Sequence, residues 1–290
     1  MKRILITGAN SFIGNSFRDY MKQYCEQCQI DIVDMKEESW NKKSFCGYDV
    51  VFHVAGIAHS DFGEISEDLK KYYYKINTNL AIEVASKAKK EGIKQFIFMS
   101  SAIVYGNSGM IGKERIITKN TPVNPGNFYS DSKVQAEKGI KLLEDEKFKI
   151  CILRPPMIYG KGGKGNYPML VKLALKLPVF PKVKNTRSML YIGNLVKFVR
   201  LIIENEESGI FWPQNAEYSN TSELVKEIAD VHGKKIILVP GCEWILKILS
   251  FRIKLINKAF GNFIYDQNMS KYKMEYRKFS LKESIEETER

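Results

Sequence analysis

A tyrosine and a lysine stand four residues apart in the segment Tyr129-Ser130-Asp131-Ser132-Lys133. On a helix this spacing places both side chains on one face. A phenol with a reference pKa of about 10 transfers protons poorly at neutral pH, but a nearby ammonium stabilises the phenolate. We therefore expect Lys133 to lower the pKa of Tyr129 and the pair to transfer protons. The same spacing also arises by chance on exposed helices, so other motifs must support this interpretation.

A glycine-containing turn follows the first apolar run of the chain. The segment TGANSFIG, residues 7–14, lies between the run RILIT and a helical pattern. Glycine at a strand end permits a tight turn, and glycine at the start of a helix lets a pyrophosphate approach the backbone N–H groups and the helix dipole. The turn therefore predicts a dinucleotide site. Its expected contacts come from Gly8, Asn10, Ser11, Phe12, Ile13 and Gly14.

The second β-branched run ends at Asp34, about twenty residues after the glycine turn. A carboxylate at this place accepts hydrogen bonds from an adenosine ribose and repels a 2′-phosphate. Asp34 therefore favours NAD over NADP, and the nearby Lys36 weakens that preference. The alternative role for Asp34 is a helix cap or an exposed loop acid.

These side chains need a framework that brings them together. Short β-branched runs alternate with helical patterns: RILIT, a helix from Ile13 to about Tyr24, IDIVDM, YDVVFHVA, a helix around Asn77 to Glu91, QFIFMSS, a helix through Lys133, and KICILRP. Such alternation is typical of βαβ units and a parallel sheet. We predict an α/β fold with a doubly wound, Rossmann-type sheet.

The pattern changes after residue 154. We predict a Rossmann domain over residues 1–160, to which parts of 185–215 return, and a smaller, mainly substrate-binding lobe over 161–290. Helical periodicity recurs at 221–232 and 243–259. The segment 243–260 is basic and amphipathic. We expect its apolar face to pack on the second lobe, the alternative being weak peripheral contact with a membrane surface.

Composition restricts the class of protein. With 44% apolar residues in 290, the chain can bury a sizeable core. No apolar run approaches the roughly 20 residues of a membrane span, and the start MKRILITGAN has no signal-peptide core. We therefore expect a cytoplasmic protein. The five cysteines lack framework spacing, so free thiols are expected. Cys25 and Cys28 form a C-x-x-C pair, but no second pair completes a zinc site, so no metal is expected. The net charge of +12 comes from dispersed lysines, so no nucleic-acid partner is expected.

Four separated motifs occur in a characteristic order. They are the glycine turn at 7–14, FMSSAIVYG at 98–106, the pair of Tyr129 and Lys133, and LRPPMIYG at 153–160. Together they resemble the extended short-chain dehydrogenases/reductases, the NAD-dependent epimerase/dehydratase family, with Ser11 at the usual middle glycine. The resemblance implies a triad of Ser101, Tyr129 and Lys133, in which the Ser101 hydroxyl hydrogen-bonds the reacting oxygen.

The resemblance also implies further contacts with the cofactor. The segment HVAG at 53–56 resembles the family's loop that lines the cofactor through Ala55 and Gly56, with His53 in a structural role. Asn77 matches an asparagine at the start of the following helix, where it could equally be an N-terminal cap. Pro155 belongs to the stretch that packs against the nicotinamide. Tyr129 and Lys133 are also expected to contact the cofactor, with Lys133 holding the nicotinamide ribose. The expected cofactor is NAD, with NADP as the alternative.

The residues after Ser101 restrict the reaction. Family members that are nucleotide-sugar 4,6-dehydratases carry Asp and Glu there, whereas this chain has Ala102 and Ile103. Neither side chain exchanges protons, so dehydration is not expected. What remains is ketone reduction, alcohol oxidation or 4-epimerisation through a transient ketone.

Two segments of the second lobe resemble the family's sugar-nucleotide contacts. They contain Asn166 and Arg187, and an arginine suits bidentate phosphate binding. An ordinary surface arginine is the alternative. The expected substrate contacts are Ser101, Ala102, Asn166 and Arg187, and the expected substrate is a UDP-sugar.

Most of the chain resembles bacterial capsule and O-antigen reductases. We therefore expect 4-reduction of a UDP-4-keto-6-deoxy-N-acetylhexosamine. The first alternative is UDP-hexose 4-epimerisation with tightly bound NAD, and the second is a non-catalytic NAD(P)-sensing module. A homodimer through the helices that carry Asn77 and Tyr129 is a further expectation, although Ile82, Val84, Ala85 and Ala88 could equally pack on the sheet.

Overall fold

The computed structural model describes residues 1–36, 38–57, 66–252 and 254–290. The strands are β1 (Lys2–Thr7), β2 (Cys28–Val33), β3 (Val50–His53), β4 (Gln95–Met99), β5 (Ile116–Ile117), β6 (Lys149–Leu153), β7 (Met157–Tyr159), β8 (Val179–Pro181), β9 (Met189–Tyr191), β10 (Gly209–Phe211), β11 (Ile237–Val239) and β12 (Ile264–Tyr265). The helices are α1 (Phe12–Met21), α2 (Glu67–Tyr73), α3 (Leu80–Lys90), α4 (Phe128–Lys141), α5 (Tyr167–Lys176), α6 (Ile192–Glu204), α7 (Thr221–Val231), α8 (Glu243–Ser250), α9 (Lys254–Phe260) and α10 (Leu281–Glu289). A π-helical segment, Tyr74–Asn79, joins α2 to α3.

The chain forms two compact units. The first comprises Met1–Gly106, Val123–Pro155 and Val196–Trp212, and the second comprises Asn107–Pro122, Pro156–Leu195 and Pro213–Arg290. The division therefore falls at 155 where the sequence suggested 160, and the short stretch 107–122 joins the second unit. Within 185–215, it is 196–212 that returns to the first unit.

A parallel sheet of six described strands forms the centre of the first unit, in the order β10-β6-β4-β3-β1-β2. Every residue of β3 and β4 is buried. Strands covered on both faces consist of nearly continuous apolar residues, which is the pattern of VVFH and QFIFM. The predicted α/β fold with a Rossmann-type parallel sheet is confirmed.

The order of strands reverses between β1 and β3. From β2 at one edge the chain returns past β1 to β3, and then continues outward through β4, β6 and β10. Sheets of this kind bind ligands outside the carboxyl ends of their strands, at the point where the order reverses. The residues that follow β1 and β3 therefore border the expected binding crevice.

The apolar face of α3 packs within its own unit. Leu80, Ala81, Val84, Ala85 and Ala88 lie in one hydrophobic core with residues of the sheet, and Ile82 packs at the edge of that core. Gly139 of α4 faces the Ile82 side chain, where a Cβ atom would collide with it. These contacts explain the apolar pattern of α3 by packing, and a dimer through α3 and α4 stays a prediction.

The second unit contains short pairs of parallel strands and several helices. Its strand pairs are β7 with β9, β8 with β11, and β5 with β12. Helix α7 packs against both α5 and α10. The predicted helix over 221–232 is observed as α7.

The segment 243–260 differs from its prediction in two respects. It forms two helices, α8 and α9, separated by a turn at Phe251 and Arg252, and Ile253 lies outside the described residues. The Ser250 carbonyl at the end of α8 accepts a hydrogen bond from Asn257 Nδ2 at 3.2 Å, which replaces the next helical turn. The second difference is the burial of α8. Trp244, Ile245, Ile248 and Leu249 are exposed, so the expectation that this face packs on the second lobe is wrong for α8.

Candidate active site

Gly8 occupies a backbone conformation that favours glycine. Its φ is +109°, and a Cβ atom there would lie 3.2 Å from the Cα and N atoms of Ala55. Gly8 N donates to Val33 O at 2.8 Å. Gly8 therefore joins the ends of β1, β2 and β3 at one place.

Gly14 lets α1 approach the sheet closely. A Cβ atom at Gly14 would lie 3.0 Å from Ile6 Cγ2 and 3.1 Å from Val54 Cγ2, both on β-branched side chains. The sequence suggested that Gly14 admits a pyrophosphate to the backbone. The contacts give it a role in close helix–strand packing, and its part in pyrophosphate binding stays a prediction.

Ser11 caps the start of α1. Its Oγ accepts a hydrogen bond from Gly14 N at 3.2 Å, and its own N–H donates to Gly8 O at 3.0 Å. The first N–H groups of a helix have no acceptor within the helix. Since Ser11 occupies the Gly14 N–H, the N–H groups of Phe12 and Ile13 are the ones that suit an anion. Asn10, on the turn before them, is exposed.

Asp34 lies directly after β2 and is exposed. Its Oδ1 accepts a hydrogen bond from Lys36 N at 3.0 Å, which closes a short turn. Val33, the preceding residue, contacts the glycine turn through its carbonyl. Asp34 thus lies beside the turn, as a ribose-binding carboxylate must, and its contact with ribose stays a prediction.

Asn77 fastens the loop after β3 to α4. It is 1% exposed, its Oδ1 accepts from Ile57 N at 2.8 Å, and its Nδ2 donates to Ile57 O at 3.1 Å and to Ser132 Oγ at 3.2 Å. Asn77 lies inside the π-helical segment, so the alternative of an N-terminal cap is wrong.

The π-helical segment turns three polar side chains toward the start of α4. Besides Asn77, Thr78 Oγ1 donates to Ser132 O at 2.7 Å, and Tyr74 OH donates to Asp131 Oδ2 at 2.7 Å. One extra residue in a helical turn changes the direction of the side chains that follow, and such bulges occur often at functional sites. Helix α4 is thereby held at the residues that flank Tyr129.

Ser101, Tyr129 and Lys133 come together in the first unit. Ser101 follows β4, and its hydroxyl hydrogen-bonds Tyr129, which lies in the first turn of α4. Ser101 Oγ also accepts from Ile103 N at 3.3 Å. Tyr73 packs edge-on against Tyr129 with ring centroids 6.1 Å apart. Lys133 is 6% exposed, and its Nζ donates to Met99 O at 3.1 Å.

Electrostatics correct one expectation about this group. Burial raises the pKa of Tyr129 to about 12, and the hydrogen bond with Ser101 opposes that rise. Burial lowers the pKa of Lys133 to about 8, while the Glu137 carboxylate opposes that change. The pKa of Tyr129 is set by its burial, Ser101 and Tyr73, and the Lys133 ammonium donates to Met99 O. The expectation that Lys133 lowers the pKa of Tyr129 is therefore wrong, since burial raises that pKa.

A buried charge network lies behind Lys133 and was not predicted from the sequence. The Glu137 carboxylate pairs with Arg154, whose Nε lies 3.1 Å from Glu137 Oε1, and it also accepts from Ser100 Oγ. Arg154 Nη1 donates to Tyr105 OH at 2.8 Å, and Trp212 Nε1 donates to the same oxygen at 2.7 Å. The spacing of four between Lys133 and Glu137 was the available signal, since it continues the same helix face.

His53 has no role in proton transfer at neutral pH. It is fully buried between β-strand neighbours, and its Nδ1 lies 2.8 Å from Thr7 Oγ1. Burial lowers the pKa of His53 to about 3, with a smaller contribution from Lys133. The neutral ring stacks on Phe96 and Phe98, which agrees with the structural role implied by the resemblance.

Pro155 and Ala102 connect two loops at the carboxyl edge of the sheet. Ala102 N donates to Pro155 O at 2.8 Å, which joins the loop after β4 to the end of β6. Ala102 is buried, and neither it nor Ile103 carries a group that can exchange a proton. Of Ala102, Ile103 and Tyr129, which lie near Ser101, Tyr129 therefore carries the titratable oxygen.

In the second unit, Asn166 and Arg187 line one small cavity. The cavity has a volume of about 20 Å³, and its other walls include Met157, Met169 and Lys258. The two predicted substrate contacts of this unit therefore lie at one place.

Arg187 is held by the end of α9. Its Nη1 donates to Lys258 O at 2.7 Å and to Gly261 O at 3.1 Å. Burial lowers the pKa of Arg187 to about 10, so the guanidinium stays charged at neutral pH. Among the described residues no carboxylate pairs with Arg187, and its contact with a substrate phosphate stays a prediction. The alternative of an ordinary surface arginine does not fit these contacts.

The first unit fits a dinucleotide in two respects. A Cβ atom at Gly56 would lie 3.2 Å from Lys133 Nζ and 3.1 Å from Asn77 Oδ1, so glycine keeps the space beside the lysine open. Lys133 has three N–H donors, of which one binds Met99 O, and a ribose can accept the others. NAD would be held by the glycine turn, Asp34, Gly56 and Lys133.

Comparison with known proteins agrees with this geometry. The pattern of the NAD dependent epimerase/dehydratase family matches residues 4–211. The UDP-glucose 4-epimerase of Vibrio cholerae is 28% identical over 281 residues, which cover 90% of this chain and 83% of that protein. The N-acetyl-alpha-D-glucosaminyl-diphospho-ditrans,octacis-undecaprenol 4-epimerase of Escherichia coli O157:H7 is 28% identical over 254 residues, covering 80% and 73%. The structure of UDP-glucuronic acid 4-epimerase from Bacillus cereus in complex with NAD has a TM-score of 0.74 at 16% identity, covers 98% of this chain and 96% of its own, and is alike in fold.

Fold and site define a nicotinamide-dependent enzyme of the short-chain dehydrogenase/reductase type. The chain belongs to the NAD dependent epimerase/dehydratase family. The predicted family and the predicted nicotinamide cofactor are confirmed. No described helix is long and apolar enough to cross a membrane.

Proposed function

We propose that this protein is an NAD-dependent 4-epimerase of a hexose linked to a diphosphate carrier, with UDP as the expected carrier. One observation carries the proposal: Ser101 hydrogen-bonds Tyr129 beside Lys133, and the following residues, Ala102 and Ile103, cannot exchange protons. Ser101, Tyr129 and Lys133 suit a reaction in which one hydride and one proton are removed and returned. They do not suit dehydration, which needs further acids and bases.

The chain's own residues handle the proton. When bound, NAD supplies the hydride acceptor. The phenolate form of Tyr129, a minor form at neutral pH because burial raises the pKa of this group, takes the proton of the hexose hydroxyl, and the resulting phenol later returns it. Ser101 donates a hydrogen bond to the same sugar oxygen. Lys133 holds positive charge next to the reacting groups at neutral pH, since its pKa is about 8. The ketone formed at C4 receives the hydride on its opposite face and the proton on its oxygen, so the 4-epimer forms with no net oxidation or reduction.

The relatives support 4-epimerisation more strongly than reduction of a 4-keto sugar. Both curated relatives are named as 4-epimerases, and their named substrates are sugars linked to UDP or to undecaprenyl diphosphate. The charge of Arg187 in the second unit suits the diphosphate that these substrates share. Reduction of a UDP-4-keto sugar uses the same three residues, so the assay must separate the two reactions.

The test is a pair of assays on the purified protein. Supplied with NAD, it should interconvert UDP-glucose and UDP-galactose, or their N-acetyl forms, without net change in reduced cofactor. Loss of NADH absorbance in equal amount with a UDP-4-keto-6-deoxy-N-acetylhexosamine, combined with no epimerisation, would instead establish the 4-ketoreductase. If the protein shows neither activity, both reactions on these carriers are rejected.

Replacement of the phenol tests the proton step. Tyr129→Phe should lower kcat by about 10²- to 10⁴-fold, because the phenolic oxygen carries the proton. NAD binding, measured by isothermal titration, should change little. Tyr72→Phe is the matched control, since Tyr72 is 53% exposed on α2. An unchanged kcat for Tyr129→Phe would contradict the assignment and favour a sensing role.

A further inference from the structure

Helix α8 of the second unit presents apolar side chains to solvent. Trp244 is 64% exposed, Ile248 is 60% exposed, and Phe251, directly after the helix, is 76% exposed. Ile245 and Leu249 are each about two-fifths exposed. We call these five residues the Trp244 face. A contiguous apolar surface of this kind on a globular protein marks an interaction site.

The orientation of α8 is the reverse of an ordinary surface helix. Residues 244, 245, 248 and 249 recur with helical spacing and form one outward stripe. Residues 246 and 250 recur on another side, where Leu246 is half-buried and Ser250 is buried. The helix thus packs on the second unit through a narrow side and leaves its apolar stripe free.

Neighbouring strands add to the exposed apolar surface. Glu243 Oε1, at the start of α8, accepts from Lys184 N at 2.8 Å, which ties the helix to the chain that leaves β8. β11 pairs with β8, and its Ile237 is 65% exposed. The strands that neighbour α8 therefore also carry an exposed apolar side chain.

Basic residues accompany this surface. Residues 233–260 include six lysines and arginines and a single acidic residue, Glu243, which is already engaged with Lys184 N. Lys247 and Arg252 are both exposed. A partner that covers the Trp244 face must accept apolar side chains and positive charge together.

The positive charge near the Trp244 face discriminates between two candidate partners, a second copy of the chain and a phospholipid surface. A second copy of the chain, docked through the same face, would bring the basic residues of both copies together, at an electrostatic cost. An anionic phospholipid surface instead offers acyl chains to the apolar stripe and headgroups to the cations. Tryptophan and phenylalanine suit the boundary between the two. Helix α8 has eight residues, which is far too short to cross a bilayer.

We propose that the Trp244 face docks the protein on an anionic phospholipid membrane, with α8 lying along the surface. The apolar side chains enter the boundary between headgroups and acyl chains, and Lys247 and Arg252 contact lipid phosphates. This docking is independent of the reaction assigned above, and its test needs no turnover.

The first measurement is co-sedimentation of the full chain with vesicles. Vesicles of phosphatidylcholine mixed with phosphatidylglycerol should bind the protein at low salt, and rising salt should release it. Vesicles of phosphatidylcholine alone should bind it weakly. Absence of binding to the mixed vesicles at low salt would overturn the proposal.

The three tryptophans allow a site-specific test. Trp40 is buried and Trp212 donates its Nε1 hydrogen to Tyr105, whereas Trp244 is exposed. Binding should shift the fluorescence of Trp244 to shorter wavelength, and brominated lipids should quench it. Trp244→Phe should keep co-sedimentation and lose both optical changes. Quenching that persists in Trp244→Phe would place the contact elsewhere and contradict the proposal.

Two double variants separate the apolar and charged contributions. Ile248→Ser with Phe251→Ser should weaken binding at least tenfold, because both side chains lose apolar burial. Lys247→Gln with Arg252→Gln should weaken binding to anionic vesicles about fivefold per residue and leave phosphatidylcholine binding unchanged. Leu142→Ser is the matched control, since Leu142 is 86% exposed on the first unit and should have no effect.

Further controls keep the outcome clear. All four substituted side chains are exposed, so circular dichroism and NAD binding should match the wild type. Sedimentation velocity measures the alternative occupant. Membrane docking would be rejected if the protein does not bind vesicles but forms a dimer that the double variant Ile248→Ser with Phe251→Ser dissociates. The Trp244 face would then be a subunit interface.

Discussion

At the scale of single residues, the buried pair of Glu137 and Arg154 supports the group around Tyr129. Glu137 lies one helical turn beyond Lys133, and its carboxylate raises the pKa of that lysine against the effect of burial. The same carboxylate pairs with Arg154 and accepts from Ser100, the residue before Ser101. The loop after β4 and the middle of α4 are thus fixed by one acid.

Removal of the Glu137 carboxylate should destabilise the protein. Glu137→Gln leaves the Arg154 guanidinium, 7% exposed, without its counter-charge, and we expect the free energy of unfolding to fall by about 3 kcal/mol. Urea unfolding followed by circular dichroism measures the change. The variant should also bind NAD more weakly, because Lys133 loses a charge that favours its protonated form.

A surface acid provides the comparison for Glu137. Glu67 pairs with Lys70 at 2.5 Å, and its side chain is 75% exposed. Glu67→Gln should leave the urea midpoint unchanged, because solvent screens such pairs. Equal effects of the two substitutions would mean that the network of Glu137 contributes no special stability.

At the scale of elements, the contact of α1 with the sheet depends on the absence of a side chain at Gly14. The nearest atoms to a Cβ there belong to Ile6 of β1 and to Val54 after β3, both β-branched and unable to move far in a packed core. Helix α1 therefore sits close enough for its first turn to face the end of β1.

Addition of one methyl group should separate these elements. Gly14→Ala should lower the free energy of unfolding by about 1–3 kcal/mol, despite the better helix propensity of alanine, since the core is overpacked. NAD affinity should fall as well, because the start of α1 moves. Thermal unfolding and isothermal titration test both effects. Ser16→Ala in the same helix is the control, and a stabilised Gly14→Ala protein would contradict the packing argument.

At the scale of the whole molecule, the first unit is built from three separate stretches of chain. Residues 196–212 supply β10, which pairs with β6, and much of α6. Gln95 Nε2 of β4 donates to Ile202 O at 3.2 Å and to Glu207 O at 2.8 Å. The sheet therefore depends on a segment that lies far from it along the chain.

Truncation tests this dependence. A fragment of residues 1–160 should not unfold cooperatively, because it lacks the buried side chains of 196–212, whose burial is worth about 10 kcal/mol. A fragment of 1–212 should keep a cooperative transition. Circular dichroism during urea titration compares the two. A stable, NAD-binding fragment of 1–160 would show that the third stretch is dispensable.

The sequence by itself determined the sheet and much of the dinucleotide site. Strands such as VVFH and QFIFM have apolar runs that only burial on both faces explains, and the glycine turn lies directly after the first of the strands. These features depend on residues close together in the chain. Local spacing also identified Tyr129 and Lys133, because four residues on a helix define one face.

Tertiary structure decided what depends on distant residues. Asn77 could have been an N-terminal cap on sequence alone. In the structure it hydrogen-bonds Ile57 and Ser132, because a π-helical turn directs its side chain toward them. The pKa of Tyr129 rises because burial outweighs its hydrogen bond with Ser101, and the Lys133 ammonium is directed to Met99 O. The apolar stripe of α8 faces solvent, although periodicity alone cannot tell which side a helix buries. Burial and charge compensation arise only when separate segments meet, so a linear pattern does not contain them.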